Sequence, residues 1–331
     1  MKKLVNDPAT VVAQSLEGFV LAHADLVALS RDPFVVRRAG GPVPGKVGLV
    51  SGGGSGHEPL HVGFVGRGML DAAAPGEVFT SPPPDQFLAA ITAADGGAGV
   101  VVVVKNYTGD VLNAEIAVEL ATEAGIEVRT VLVNDDVAVE DSTYTAGRRG
   151  VAGTVLVEKI AGAAAERGDD LDAVAAVAAR TVAGVRTMGV ALRACTVPHT
   201  GRPSFDLPDD EIEIGIGIHG EPGRRRVSAA PADVVTAMLL APVVEDLGLA
   251  AGERVLLLVN GMGGTPESEL AIVFRQAHAL LTAAGVLVHR ALLGSYVTSL
   301  DMAGASLSVL RLDDELTALW DAPVTTARLR W

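Results

Sequence analysis

The chain has 331 residues, of which 49% are hydrophobic, and this is enough apolar material for two domains with buried cores. Its formal net charge of −14 argues against nucleic acid as a partner, because a phosphate backbone attracts a basic surface. The single cysteine, Cys195, excludes a disulfide within the chain and favours a reducing compartment.

The N-terminal segment and the apolar runs argue against export and membrane insertion. The first residues carry two lysines, but Asn6, Asp7 and Pro8 interrupt the apolar stretch that a signal peptide needs. The longest unbroken apolar stretches, such as residues 100–104, are far too short to cross a bilayer. We therefore expect a cytoplasmic protein without membrane contact.

Short runs rich in valine, leucine and isoleucine recur along the chain and predict strands. They occupy residues 46–50, 100–104, 128–133, 190–197, 212–218, 254–259, 286–293 and 306–312. The run at 100–104 consists of valine alone, and this lack of alternation is typical of a strand covered on both faces.

Alanine-rich segments between the strands predict helices at residues 113–124, 154–166 and 171–182. The first of these helices would begin at an N-cap, Asn113, and end at Gly125. Strands that alternate with helices of this length predict an α/β fold. We expect two α/β domains, each with a largely parallel or mixed central sheet flanked by helices.

The domain boundary is placed near the middle of the chain. Segment 197–211 contains prolines and acidic residues and breaks the helical periodicity. The boundary is accordingly expected close to residues 185–200. Residues 1–190 would form an N-terminal α/β domain with the glycine-rich loop, and residues 191–331 a C-terminal α/β domain.

Two segments resemble each other, KVGLVSGGGSG at 46–56 and RVLLLVNGMGG at 254–264. Each has a basic residue, an apolar strand, a small polar residue and a glycine loop. A duplicated architecture would explain this similarity, and so would two ordinary strand-to-helix turns. The first loop continues into SGGGSGHEPLH, which ends at residue 61 and contains the pattern H-E-x-x-H.

Nucleotide-binding and zinc-protease motifs fail in this loop. A Walker loop needs lysine after its last glycine, where His57 stands, and the dinucleotide fingerprint of a nicotinamide dehydrogenase needs glycine where His57 or Pro59 stands. A zinc site would require His57 and His61 on one helical face, and no third ligand is recognisable. What remains is a glycine-lined turn at the carboxyl end of a strand, which is where ligands bind in open α/β sheets.

Two further segments contain candidate ligand-binding residues. VKNYTGD, at 104–110, brings Lys105 and Asp110 to the glycine loop if strands 46–50 and 100–104 are neighbours. In EIGIGIHGEPG, glycines alternate with isoleucines before His219, and glycine in a strand indicates close approach by a backbone or ligand. Each residue also has a structural interpretation: a solvated lysine, a helix-terminal carboxylate and an edge histidine.

Taken together, the motifs resemble the substrate-binding K subunit of dihydroxyacetone kinase from the first residues to the last. They are KVGLVSGGGSGHEPLH, PGEVFTSPPPD, VKNYTGDVLN, YTAGRRGVA, ACTVP, GIGIHGEPG, VTSLDMAG and LWDAPV. The resemblance implies an alcohol-accepting phosphotransferase of glycerol metabolism, a glycerone kinase.

The resemblance also implies roles for individual residues. His219 would bond covalently to the carbonyl carbon of dihydroxyacetone as a hemiaminal, and Asp110 would act as the base on the substrate hydroxyl. His57 and Lys105 would bind and activate the substrate. The backbone around residues 54–56 would line the site, with the contributing positions Gly54, Ser55 and Gly56.

The phosphoryl donor is expected on another protein. The resemblance implies that ADP or ATP and magnesium are held by a separate L subunit, so this chain would bind no metal or cofactor and would act only with that partner. A phosphoenolpyruvate relay through a phosphotransferase protein and a homodimer are also implied. Within this chain, Asp135 and Asp136 are either a magnesium site or a turn capping the next helix.

Two alternatives keep the covalent capture but change the biology. In the first alternative, the substrate is a four-carbon ketose such as erythrulose, because His219 would bond to its carbonyl group in the same way. Alternatively, the chain would be a ligand-sensing co-regulator without catalysis. The presence of both His57 and Asp110 argues against a sensor, because a sensor needs capture but no base.

Overall fold

The fold is that of a computed structural model, which describes residues 2–139 and 146–331. The first half of the chain supplies six strands, which pair in the order β1-β2-β4-β3-β5-β6. β4, β3, β5 and β6 run parallel to one another, whereas β1 and β2 are antiparallel additions at one edge. The strands are β1 (Val27–Arg31), β2 (Phe34–Arg38), β3 (Gly48–Ser55), β4 (Ala72–Val78), β5 (Val100–Lys105) and β6 (Val128–Val133).

The second half supplies another six-stranded sheet, in the order β11-β10-β12-β7-β8-β9. Here β10 and β11 are parallel, and the other four pairings are antiparallel. The strands are β7 (Val185–Arg193), β8 (Glu211–Ile214), β9 (Arg225–Ser228), β10 (Arg254–Gly261), β11 (Leu287–Gly294) and β12 (Ala303–Leu312).

Helices flank both sheets, and this confirms the predicted mixed α/β class. They are α1 (Val11–Ala22), α2 (Pro84–Ala94), α3 (Thr108–Glu123), α4 (Thr154–Arg167), α5 (Leu171–Gly184), α6 (Ala232–Leu247), α7 (Glu267–Ala283) and α8 (Asp314–Asp321). Within the described part of the chain, every helix is too short or too polar to cross a membrane.

The largest apolar cluster joins the two sheets. It includes valines of β5, most of α4, part of α5, and leucines of β10 and β12. Every residue of α4 from Thr154 to Ala165 is buried. Because α5 contacts both β6 and β12, the helical pair links the two halves. Residue 190 lies inside β7, and the proposed division at that residue stays a prediction.

Some predicted element ends were wrong. α3 begins at Thr108 rather than at Asn113, whose side chain donates to the carbonyl oxygen of Pro82 at 2.9 Å instead of capping the helix. β8 ends at Ile214, because Gly215 adopts a left-handed φ of 82° that turns the chain out of the strand.

Candidate active site

The carboxyl ends of β3 and β5 meet at one edge of the first sheet, because the two strands are parallel neighbours. A cavity of about 330 Å³ lies at this edge. Its walls include three residues predicted from distant segments, Gly54, Asp110 and His219, in agreement with the rule for ligand sites in α/β sheets. The other lining residues are Phe79, Ser81, Tyr107, Thr108 and Gly109.

Lys105 ends β5 and lies behind the glycine loop, with only 1% of its surface exposed. Its Nζ donates to the carbonyl oxygen of Gly52 at 3.3 Å and to Nε2 of His61 at 2.8 Å. A Cβ atom on Gly53 would collide with this Nζ, so glycine lets the loop pass close to the ammonium. The interpretation of Lys105 as a solvated lysine is therefore wrong.

Asp110 lies in the first turn of α3 and is buried. Its Oδ2 is 3.7 Å from Nζ of Lys105. Its Oδ1 is also buried and has no hydrogen-bond partner among the described residues. An unpaired carboxylate oxygen in a cavity wall is available to a hydroxyl group of a ligand.

His57 follows the glycine loop and is buried. Its Nδ1 donates to the carbonyl oxygen of Thr298 at 2.7 Å, so Nε2 keeps the lone pair in the neutral ring. That Nε2 has no hydrogen-bond partner within the described ranges. Burial lowers the pKa of His57 well below its usual value, and the charges of His219 and Lys105 lower it further. The ring stacks on Phe79 at a centroid distance of 5.1 Å.

His219 comes from the loop between β8 and β9 of the second sheet. Its Nδ1 lies 2.8 Å from Oε1 of Glu221, and its backbone N–H donates to Oε2 at 2.9 Å. The ring stands edge-on to Tyr107 at a centroid distance of 4.6 Å. A Cβ atom on Gly217 would collide with the Glu221 carboxylate. With Nδ1 bound to a carboxylate, the neutral imidazole keeps its lone pair on Nε2.

The positive charge of the buried Arg149, which is paired with Asp136, acts on Glu221. Burial would raise the pKa of Glu221, but the charge and hydrogen bond of His219, together with Arg149, hold it at about 2. Arg149 donates to Oδ2 of Asp136 and to the carbonyl oxygen of Gly215, both at 2.8 Å. Burial raises the pKa of Asp136 to about 6, and the Arg149 guanidinium opposes that rise.

The acidic pair at 135–136 is bound by protein groups. Asp135 accepts the backbone N–H groups of Val151 and Gly153, at 2.8 and 2.7 Å, at the start of α4. This geometry favours the helix-capping interpretation over a magnesium site. In residues 2–139 and 146–331, no group of three histidine, cysteine or acidic side chains could hold a metal ion.

The H-E-x-x-H pattern does not form a zinc-protease helix. Residues 57–61 form bends and turns, and the two histidines bind different partners. His61 places Nδ1 2.6 Å from Oε1 of Glu158. Burial lowers the pKa of His61 well below its usual value, with Lys105 adding to the effect. Burial raises the pKa of Glu158 to about 8, and Lys105 opposes that rise.

The predicted loop residues 54–56 contribute mainly backbone. A Cβ atom on Gly54 would lie 2.6 Å from the backbone nitrogen of Thr80, and Gly56 has a left-handed φ of 100°. The hydroxyl of Ser55 donates to the carbonyl oxygen of Gly76 at 2.6 Å, so it is engaged within the protein.

Sequence reasoning singled out neither Tyr107 nor Glu221. Both lie inside motifs that carry the family resemblance, and the acidic residue two positions after His219 was the available signal. The motif YTAGRRGVA supplies the buried Arg149. Its first residues, Tyr144 and Thr145, lie outside the described residues.

Comparisons with known proteins place these features in a family. The Dak1 domain model matches residues 17–328. The chain is 55% identical over 315 residues to the dihydroxyacetone-binding subunit DhaK of PTS-dependent dihydroxyacetone kinase 1 from Listeria innocua, covering 95% of each chain. It is 49% identical over 355 residues to the corresponding subunit of the PEP-dependent kinase from Escherichia coli, covering 100% of this chain and 99% of the relative.

Solved structures share the fold. The dihydroxyacetone kinase of C. freundii has a TM-score of 0.89 and 35% identity, with 99% of this chain and 60% of that chain covered. The dihydroxyacetone kinase operon co-activator DhaQ has a TM-score of 0.88 and 34% identity, with 94% and 96% covered. The Dak1 match over residues 17–328 spans both sheets and the segments that line the cavity.

Proposed function

The chain belongs to the Dak1 family, and we propose that it is the dihydroxyacetone-binding subunit of a dihydroxyacetone kinase. Relatives that carry this name are similar to it over nearly its whole length. The residues that the resemblance implicates lie in the cavity wall or directly behind it. They are His57, Lys105, Asp110 and His219.

His219 captures the ketone carbon as a hemiaminal. The lone pair of Nε2 forms the N–C bond, the π electrons of the carbonyl move to oxygen, and this oxygen takes up the proton that the imidazolium releases. The Glu221 carboxylate, 2.8 Å from Nδ1, stabilises the positive ring during this step. Glycerol has no carbonyl group and is rejected, a discrimination that packing alone supplies poorly.

Asp110 then removes the proton from the terminal hydroxyl that receives phosphate. Capture fixes the substrate in one orientation, which removes much of the entropic barrier to transfer. Lys105, 3.7 Å from Asp110, offsets negative charge that arrives with the phosphoryl group. The observation that carries the proposal is the shared cavity wall of His219, bound at Nδ1, and Asp110, with its unpaired Oδ1.

The phosphoryl donor lies on a separate L subunit, so the chain acts only when that partner docks over the cavity. Two full-length relatives are named as subunits of PTS- and PEP-dependent kinases. Their names support a relay in which ADP on the L subunit is rephosphorylated from phosphoenolpyruvate through a phosphotransferase protein. We also propose that this chain is a cytoplasmic homodimer.

Mass spectrometry of the intact protein under non-denaturing conditions tests the capture step. With dihydroxyacetone, the chain should gain the mass of one ketose without loss of water. His219→Ala should abolish this gain, whereas His199→Ala, at an exposed histidine, should keep it. A His219→Ala protein that still gains the mass would refute the assignment.

Phosphate transfer is measured with a supplied L subunit. Product should form with phosphoenolpyruvate and phosphotransferase proteins, and sustained turnover from ATP alone would contradict the proposed donor. Erythrulose serves as the competing substrate, and turnover far above that with dihydroxyacetone would establish a four-carbon ketose kinase instead.

A co-regulator is the second candidate, because the chain is as similar in fold to the co-activator DhaQ as to the kinase. A sensor would bind the ketose without supporting phosphate transfer. Adduct formation without product, in the presence of an L subunit that works with another K subunit, would favour this candidate.

A further inference from the structure

His61 is the second histidine of the H-E-x-x-H pattern, and the capture and base steps do not use it. It lies between Glu158 and Lys105, and all three side chains are buried. Its Nδ1 is 2.6 Å from Oε1 of Glu158, and its Nε2 is 2.8 Å from Nζ of Lys105. Buried ionisable groups need hydrogen-bonding or charged partners. Glu158, His61 and Lys105 provide such partners for one another, and we call these three side chains the row.

The hydrogen positions in the row follow from donor and acceptor capacity. An ammonium group only donates, so Nε2 of His61 accepts from Lys105. The neutral ring then carries its hydrogen on Nδ1 and donates it to Oε1 of Glu158. This Oε1 accepts in either protonation state of the carboxyl group, because Oε2, which has no hydrogen-bond partner in the described part of the chain, can carry the proton.

Three different elements hold the row in place. Lys105 ends the inner strand β5, His61 lies in the turn after the glycine loop, and Glu158 lies in the buried part of α4. Such a setting limits the rotamers open to each side chain. The carbonyl oxygen of Gly52 provides a further acceptor for Nζ at 3.3 Å.

We propose that His61 and Glu158 are positioning residues for Lys105. Glu158 fixes the tautomer of His61 whose Nε2 accepts, and this Nε2 holds the ammonium group beside Asp110 and the glycine loop. Without the acceptor at residue 158, the ring can turn its N–H toward Lys105 and push Nζ away. The inference rests on the proposed function, which gives Lys105 its part in phosphate transfer.

Substitutions at both positions test the proposal in the full chain with its L subunit. Glu158→Leu and His61→Leu should each lower kcat by about 10- to 100-fold. Both should still form the His219 adduct at saturating ketose, because His219 is held by a different loop. Glu158→Gln should keep most of the wild-type kcat, because its amide oxygen can accept the hydrogen of Nδ1. The opposite amide orientation would donate to Nδ1 and turn the ring N–H toward the Lys105 ammonium, which disfavours it.

Lys159→Met is the matched control. Lys159 is the next residue of α4 and is equally buried, but its Nζ donates to the carbonyl oxygen of Leu319, away from the cavity. A general disturbance of α4 should appear in this variant too. The proposal is overturned when Lys159→Met loses as much kcat as Glu158→Leu, or when Glu158→Leu and His61→Leu keep wild-type kcat.

Nitrogen-15 NMR of labelled histidine gives a readout that does not depend on activity. The signals of His61, assigned through their connectivity to its own backbone in the wild-type chain, should show hydrogen on Nδ1 and a bare Nε2. A ring with hydrogen on Nε2, or on both nitrogens at neutral pH, would overturn the proposal even where the leucine variants fail to fold. A wild-type chain with this tautomer but without adduct or turnover would instead refute the proposed function.

Discussion

His57 and His219 stand edge to face with their ring centroids 4.8 Å apart, although they follow strands of different sheets. The loop between β11 and β12 stabilises this contact by hydrogen bonds to the glycine loop. The backbone N–H of Thr298 donates to the carbonyl oxygen of His57 at 3.2 Å, and that of Leu300 to the carbonyl oxygen of Gly56 at 2.7 Å. The site therefore depends on docking of the two sheets, which the shared apolar core maintains.

Asp110→Asn should separate capture from transfer. The variant keeps the shape of the side chain and leaves His219 intact, so the adduct should still form. Turnover should fall by about 100- to 10,000-fold, because an amide cannot take the hydroxyl proton. The adduct is measured by mass spectrometry of the intact protein. Turnover is measured with the L subunit present.

Asp85→Asn is the control for this substitution, since Asp85 lies in the first turn of α2 and is exposed. It should leave both measurements at the wild-type level. Normal turnover in Asp110→Asn would overturn the assignment of Asp110 as the base.

Gly53→Ala should impair transfer without unfolding the chain. The added methyl group would collide with Nζ of Lys105, the end of a flexible side chain that can shift, and the φ of 159° at Gly53 adds backbone strain for alanine. A displacement of about 1 Å near a reacting group can cost about 100-fold in rate, and we expect a loss of kcat of that order. Thermal unfolding checks that the fold persists.

Gly18→Ala gives the matched glycine substitution. Gly18 lies inside α1, and a Cβ atom there meets no atom within 4 Å. Alanine should raise the free energy of unfolding by about 0.5–1 kcal/mol and leave kcat unchanged. Equal kcat losses in Gly53→Ala and Gly18→Ala would show that crowding at Lys105 is not the cause.

The strands predicted most accurately are those in which the residue types alone indicate a buried strand. The valine run at 100–104 and the run at 128–133 correspond closely to β5 and β6. β4, with the sequence AAAPGEV, was missed because alanine, proline and glycine have low strand propensity. It forms because β2 and β3 pair with it on either side, which local sequence does not record.

The site was predictable in part. Parallel pairing brings Lys105 to the glycine loop, and the order of strands and glycines in the sequence indicated this edge. No local pattern could place His219 there, because its loop belongs to the other sheet, and only the family resemblance indicated it. The link from His61 to Glu158 was also invisible, since it depends on how α4 packs against β3 and β5.

Glu221→Gln tests the carboxylate that holds His219. The pKa of Glu221 is about 2 in the folded chain and 4.5 ordinarily, because His219 and Arg149 outweigh the effect of burial. A depressed pKa adds stability above about pH 4.5 that is lost as the pH falls toward 2. This difference between the two pKa values of Glu221 corresponds to about 3 kcal/mol of free energy of unfolding.

Urea unfolding of the wild type and of Glu221→Gln between pH 7 and pH 2.5 measures this contribution. The wild type should lose more stability than the variant as the pH falls below 4.5, approaching the full difference only near pH 2. Glu123→Gln, at an exposed glutamate of α3, should follow the wild type. Parallel curves for the wild type and Glu221→Gln would mean that the ion pair does not form, and His219 would then lack the partner that sets its reactive nitrogen.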